Sequence, residues 1–343
     1  MKFIIFNLYK KKFINISLLL FFVLYETNIE SLNNSSSFPS TFSIEHQYNL
    51  TNFVFNHEIK NNSILILETN RYHYECTPGY SKYFIDLGYQ VDIIIHSMGI
   101  NAFSLFTNFE KINIFSYNNL SYIQSNPSLI GNKLKKYDFI LIQSTEPRFL
   151  NLYKQLGLLN SNKTIFVMHI YKFIKSMNLT NYYLINKIWT LGNFPNSLRI
   201  SPHYFGKIQL KDKNKVTKFF ITSTINRNYK FLISASDELK KQKFNFEVVV
   251  VGKFYDFTIK DLPEQLKSNY KFRYLVTYFE LYKEVLSSDF IIINLDPSNM
   301  ADREFSKIRV SGSLSLSLGF FKPALINGEF AKLYNLTSNN SLI

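Results

Sequence analysis

Cysteine is almost missing from this chain: Cys76 is the only one in 343 residues. No intrachain disulfide can form and a Cys-rich zinc site is excluded, while the redox compartment is left open. There is no repeat of fixed period, which excludes solenoids and propellers. No recognised DNA- or RNA-binding motif is present, so no nucleic-acid partner is expected. Asp296 and Asp302 stand singly rather than in a compact Asp-x-Asp triplet, and no metal is predicted.

What is there begins with charge. Lys and Arg number 39 against 25 Asp and Glu, a formal net charge of +14, which suits a nucleic-acid surface, an anionic membrane or a phosphorylated small molecule, and equally a solvated surface of Lys-rich composition. The basic cluster Lys10-Lys11-Lys12 precedes the apolar run 13–25, FINISLLLFFVLY, which at 13 residues is shorter than the roughly 17–25 of a spanning helix. A basic stretch before a short apolar one is the pattern of a secretory signal peptide or signal anchor over residues 1–30. That reading gives membrane association through the N-terminal segment and places the rest in the endoplasmic reticulum or Golgi lumen, or outside the cell. There Asn49-Leu50-Thr51 and Asn178-Leu179-Thr180 are glycoprotein acceptor sites. Without a targeting role for this segment the chain is cytoplasmic. Residues 31–62, rich in Asn, Ser and Thr, read as a linker or stem.

From residue 63 short apolar runs alternate with amphipathic stretches: ILIL (64–67), a helix over 80–87, VDIII (91–95), FILI (139–142), a helix over 149–156 and TIFVMH (164–169). A second series follows: KFFIT (218–222), a helix over 229–241, FEVVVVG (246–252), a helix over 281–287, DFIIINLD (289–296), a helix near 312–318 and PALIN (323–327). Nearly continuous β-rich runs separated by helices predict α/β units whose parallel sheets are covered on both faces. The boundary falls near 205–217, giving one domain over 63–210 and another over 211–343, with a cleft between them as the default ligand site. The second series stops at Ile343 with no closing helix, and reads as incomplete at its C-terminus.

The stretch ILILETNRYHYECTPGYSKYFIDLGYQVDIII (64–95) resembles the opening of GT-B glycosyltransferases. FFITSTINRNYKFLISASDELKKQKFNFEVVVVG (219–252) is similar to the first strand, phosphate loop, helix and second strand of their donor domain. The segment 290–326 resembles their donor-site signature, with Lys307, Arg309, Ser311-Gly312-Ser313, Gly319 and Pro323 as landmarks. This resemblance, over roughly 64–330, implies a GT-B fold of two Rossmann-like domains facing a central cleft. It further implies a hexosyltransferase-type glycosyltransferase that moves a sugar from a nucleotide-diphosphate donor to a glycan, lipid or protein hydroxyl, without a metal or other cofactor. A catalytically inactive or fragmentary relative, or a sugar-nucleotide epimerase, would share the fold. The family's pair of glutamates eight positions apart is not matched: Glu304 could be the first, but position 312 is glycine.

Transfer from a nucleotide diphosphate needs the departing phosphates neutralised. Small residues opening a helix can offer backbone N–H groups to a diphosphate, so Ser311, Gly312 and Ser313 are candidate donor-binding residues, or simply a helix cap. Lys307 and Arg309, and Arg227 and Lys230 earlier, could reach the same anion or be surface charges. His73 and Glu75 follow the first strand where an acceptor would approach, and either could take its proton. His169 ends a strand facing the cleft. For these three the alternative is a structural hydrogen bond. The aromatics of 189–206, beside His203, read as core or hinge packing.

Overall fold

The computed structural model describes residues 47–70, 73–104, 109–170, 173, 188–191, 198–200, 203, 216–223, 227–252, 257–274, 276–300, 302–307, 311–337 and 341–342. The signal or anchor segment and most of the 205–217 boundary lie outside these residues. Among them no helix is long and apolar enough to cross a membrane.

The first unit runs β1 (Gln47–Asn49), α1 (Leu50–Phe55), β2 (Ser63–Leu67), α2 (Thr77–Asp86), β3 (Gln90–His96), β4 (Ile112–Tyr117), α3 (Pro127–Leu134), β5 (Phe139–Ile142), α4 (Leu150–Gln155), β6 (Thr164–Met168), β7 (Ile188–Thr190) and β8 (Leu198–Arg199). Its sheet has the order β1-β4-β3-β2-β5-β6-β7-β8, with every ladder parallel. The second unit runs β9 (Thr217–Ser223), α5 (Lys230–Lys241), β10 (Phe246–Gly252), β11 (Tyr270–Arg273), α6 (Tyr278–Ser287), β12 (Phe290–Ile293), α7 (Gly312–Gly319), β13 (Ala324–Ile326), α8 (Gly328–Leu333) and β14 (Ser341–Leu342). Its order is β11-β10-β9-β12-β13-β14, again all parallel. From β2 in the first sheet and β9 in the second the chain lays strands outward in one direction, then returns beside that strand, which is the doubly wound pattern with a switch point at β2/β5 and at β9/β12, β1 adding an edge strand beside β4.

The apolar runs are continuous because both faces of each sheet are covered. In β2, Ile64 and Ile66 enter one core cluster while Leu65 and Leu67 enter the opposite one. In β10, Val248 and Val250 pack on one side and Val249 and Val251 on the other. Each such side chain, taken wholly out of water, contributes roughly 1.5–3 kcal/mol. The phrase Leu87-Gly88-Tyr89 that joins α2 to β3 also has a physical reason. Gly88 has φ +92°, and the Tyr89 N–H returns to the Phe84 carbonyl at 3.0 Å, so the helix ends in a left-handed turn that glycine adopts without strain.

Two expectations are corrected. Residues 47–55, inside the stretch read as a linker, form a strand and a helix. Asn49 caps α1 by accepting the Asn52 N–H at 2.9 Å, and Leu50, Phe53 and Val54 are buried in the first core. The Asn-rich composition hid this i, i+3, i+4 stripe. Likewise a closing helix does follow the last apolar strand: α8 is capped by Asn327, and its Phe330 and Ala331 are buried. Strands β4 and β11 were also not foreseen; β11, at the sheet edge, carries exposed Lys271 and Arg273 in place of an apolar run.

The added N-terminal segment is held by Asp92, which is buried near the amino end of β3. Its carboxylate accepts from His57 Nε2 at 2.5 Å, the Tyr137 hydroxyl at 2.6 Å and the Asn113 amide at 2.8 Å. The Lys133 ammonium donates to the carbonyls of Val54 and His57 at 3.0 and 2.6 Å. Asp92→Ala leaves three donors without their acceptor. Urea unfolding of this variant is expected to show a loss of about 3 kcal/mol; a loss under ~0.5 kcal/mol would show that Asp92 does not hold the segment.

Candidate active site

On the first unit, polar residues gather just beyond the carboxyl ends of β2, β5 and β6, on either side of the switch point. Glu68 follows β2 directly and is fully buried. It accepts from the Ser144 hydroxyl at 2.6 Å and the Asn70 N–H at 2.5 Å, and the Asn70 amide reaches on to Glu146. Burial pushes the Glu68 carboxyl up to about 8 against the pull of these hydrogen bonds, so at neutral pH it is mostly protonated.

His73 and His169, seen separately in the sequence, lie ring on ring with centroids 3.9 Å apart and planes 20° from parallel. His169 Nε2 lies 3.1 Å from the Gln143 carbonyl, which fixes the proton on that nitrogen. Burial, then the neighbouring His73, holds His169 well below the usual imidazole range. His73 shifts the other way. Burial opposes its charge, but Glu75, whose Oε1 is 3.7 Å from His73 Nδ1, outweighs it together with Glu68 and Glu146, and the net shift is upward. For Glu75, burial is the largest influence and raises its carboxyl, yet His73 and His203 together lower it below the ordinary value. The cluster thus pairs an ionised Glu75 with a His73 inclined to be cationic, beside a neutral His169 and a neutral Glu68.

On the second unit, a cavity of about 330 Å³ opens at the β9/β12 switch point, lined by Thr222, Arg227, Tyr278, Leu281, Asn294, Phe305, Ser311, Gly312, Ser313 and Leu316, with Glu75 and His203 from the first unit completing it. Helix α7 points its N-terminus here. Ser311 is its N-cap in extended conformation, and its hydroxyl makes no cap hydrogen bond. The Gly312 and Ser313 N–H groups have no acceptor within the helix, while the Leu314 N–H turns back to the Ser311 carbonyl at 3.1 Å. A Cβ at Gly312 would meet nothing within 4 Å, so this end of the helix is open to the cavity. Thr222 Oγ1 and Ser313 Oγ are 2.6 Å apart. Arg227 is ion-paired with buried Asp302, and its guanidinium lies 4.8 Å over the Phe305 ring. Asp302 in turn accepts the Asp296 N–H at 2.9 Å. Asp296 itself binds Ser298 and Asn228. Among the described residues no group of three His, Cys, Asp or Glu is placed to hold a metal ion.

Two doubly wound parallel sheets, one of eight strands and one of six, meet at one cavity on the carboxyl side of their strands. The chain has the GT-B fold.

No family model matches the sequence, and no curated protein matches it. Solved structures do. A glycosyltransferase from Rickettsia africae is 15% identical with a TM-score of 0.46, over 78% of this chain and 79% of that one. A family 9 glycosyl transferase from Veillonella parvula is 9% identical with a TM-score of 0.45, over 83% and 87%. A protein described as a UDP-N-acetylglucosamine 2-epimerase, from Listeria monocytogenes, is 9% identical with a TM-score of 0.42, over 78% and 79%.

The GT-B frame brings Glu75, Arg227, Ser311, Gly312 and Ser313 to one cavity, with His73 and His169 just behind Glu75. Lys230 is exposed on the first turn of α5 and does not line the cavity. Lys307 ends the short helix Glu304–Lys307, with its side chain outside the described atoms, and Arg309 lies outside the described residues. Sequence reasoning missed Glu68, Thr222, Tyr278 and Asn294. Glu68 had a signal, an acid directly abutting the apolar run ILIL; Tyr278 had none, since its partner is 203 positions away. Gly319 is explained by His203: a Cβ there would lie 2.5 Å from His203 Cβ and 2.8 Å from its carbonyl oxygen.

Glu68 generates a pH prediction. Its folded value of about 8 exceeds the ordinary carboxyl value of 4.5, so between these values the folded state holds a proton that the unfolded state releases. The stability this gives is complete below about 4.5 and is lost as pH rises through about 8. Urea titrations from pH 5 to 9 should therefore show a smaller loss for Glu68→Gln than for the parent chain; parallel curves would contradict a buried neutral Glu68.

Proposed function

We propose that the chain is a glycosyltransferase that moves a sugar from a nucleoside-diphosphate donor, seated against the second unit, to a hydroxyl acceptor approaching from the first. The observation that carries this reading is the shared cavity, in which the open N-terminus of α7 and the hydroxyls of Thr222, Ser311 and Ser313 face Glu75 across the boundary between units. Backbone N–H groups and a helix dipole stabilise the charge that grows on a departing diphosphate. Arg227 adds a guanidinium fixed by Asp302 and Phe305; because its charge is already paired, its part is directional hydrogen bonding more than net neutralisation.

Of the three candidate bases, Glu75 fits best. It is the one that lines the cavity, and its carboxyl is held below the ordinary range, ready to accept a proton from an acceptor hydroxyl. His73 serves as its counter-charge, and His169 supports the His73 ring. Metal independence and a secretory location set by residues 1–30 belong to this proposal.

The test is a thermal-shift screen of the full chain against UDP, GDP and their sugar conjugates, followed by assays of sugar transfer and hydrolysis with the stabilising donor. Glu75→Gln is expected to keep the shift and to lose about 10²–10⁴-fold in turnover. A folded protein that no nucleotide stabilises, or a Glu75→Gln variant with undiminished turnover, would overturn the assignment.

A further inference from the structure

Glu75 belongs to the first unit, yet its second carboxylate oxygen is engaged from the second. The Tyr278 hydroxyl donates to Glu75 Oε2 at 3.2 Å. Tyr278 is the first residue of α6, and that helix start is fixed by a capping box: the Thr277 hydroxyl accepts the Glu280 N–H at 3.3 Å while the Glu280 carboxylate accepts the Thr277 N–H at 2.8 Å. The ring stacks on Tyr282 at 6.0 Å, and Tyr282 packs on Phe320. Tyr278 also packs against the core of the first unit and that of the second. Its ring is therefore held by both units, and its hydroxyl is delivered to one atom.

We propose that Tyr278 is a positioning residue, whose hydroxyl aims the Glu75 carboxylate into the cavity from the opposite unit and sustains its ionised form. The groups facing Glu75 allow this division of labour. His73 meets Oε1 from the same loop, His203 comes from the segment after β8, and Glu68, Cys76, Tyr80, Tyr278 and Tyr282 lie around them. His73 supplies charge at one oxygen, while Tyr278 supplies direction at the other. A hydrogen bond donated to a carboxylate favours its charged form, and an oriented acceptor is what proton transfer requires. The base would then be complete only with both units in place, so the docking of α6 on the first unit becomes a condition for reaction.

The inference rests on the transferase reading for its catalytic consequence, but the interaction is measurable without turnover. Tyr278→Phe keeps the ring and its packing and removes only the hydroxyl. In the full chain carrying ¹³C-labelled glutamate, with the Glu75 carboxyl assigned by its absence from Glu75→Gln, Tyr278→Phe should raise the Glu75 titration midpoint by about one unit. With a donor found, kcat should fall about tenfold at unchanged donor KM, and the acidic limb of the rate profile should move to higher pH. A Glu75 titration indifferent to Tyr278→Phe would overturn the proposal. A shifted titration in a chain that transfers no sugar would uphold the cross-unit hydrogen bond while removing the transferase reading.

Discussion

A parallel sheet sends every strand's carboxyl end to the same edge, and both sheets of this chain are parallel throughout. The loops that follow those strands are therefore collected on one side, and at each switch point adjacent loops leave in opposite directions and open a crevice. Glu68, Ser144 and His169 are neighbours for this reason, though they come from three strands. Thr222 and Asn294 flank the second crevice for the same reason. The cavity needs no special device beyond setting the two carboxyl edges against each other, and the residues that touch across the boundary, Tyr278 on Glu75 and Gly319 on His203, do that.

Burial alone would drive every ionisable group of the first cluster toward neutrality. The geometry separates them instead. Glu68, where hydrogen bonds and His73 do not outweigh burial, gives way to it, whereas Glu75, seven positions on, is rescued by His73 and His203. The two stacked imidazoles part in the same manner, His73 upward beside carboxylates and His169 downward under burial and a neighbouring imidazole, against the opposing pull of the Gln143 carbonyl. Groups of like chemistry pushed apart in proton affinity are how a site holds an acid and a base at one pH. The net +14 of the chain is no guide to this chemistry, since the charged group that the first unit presents to the cavity is the Glu75 carboxylate.

The sheets were legible because doubly covered strands leave unbroken apolar runs: the expected FILI and FEVVVVG coincide with β5 and β10. Strands with mixed faces, such as β4 and the charged edge strand β11, leave no such trace. The segment 47–55 was misread because its Asn residues, typical of a linker, here act as a helix cap and flank a buried stripe. At the site, positions set by local context were legible: Glu75 after a strand, and Ser311-Gly312-Ser313 before a helix. Those whose roles come from distant partners were not. Asp302 gave no sign of holding Arg227, 75 positions away, nor Tyr278 of reaching Glu75, because nothing in a single sequence marks a contact that folding alone creates.

The central claim is that the open N-terminus of α7 receives a diphosphate, and Gly312→Asp tests it with two effects of opposite sign. An acid in the first turn of a helix stabilises the fold by about 0.3–1 kcal/mol, and a Cβ at this position meets nothing within 4 Å, so the variant should melt no lower than the parent chain. The same carboxylate stands where the diphosphate would lie and should abolish calorimetric binding of the nucleoside diphosphate that stabilises the parent. Unchanged binding in a well-folded Gly312→Asp would contradict the account.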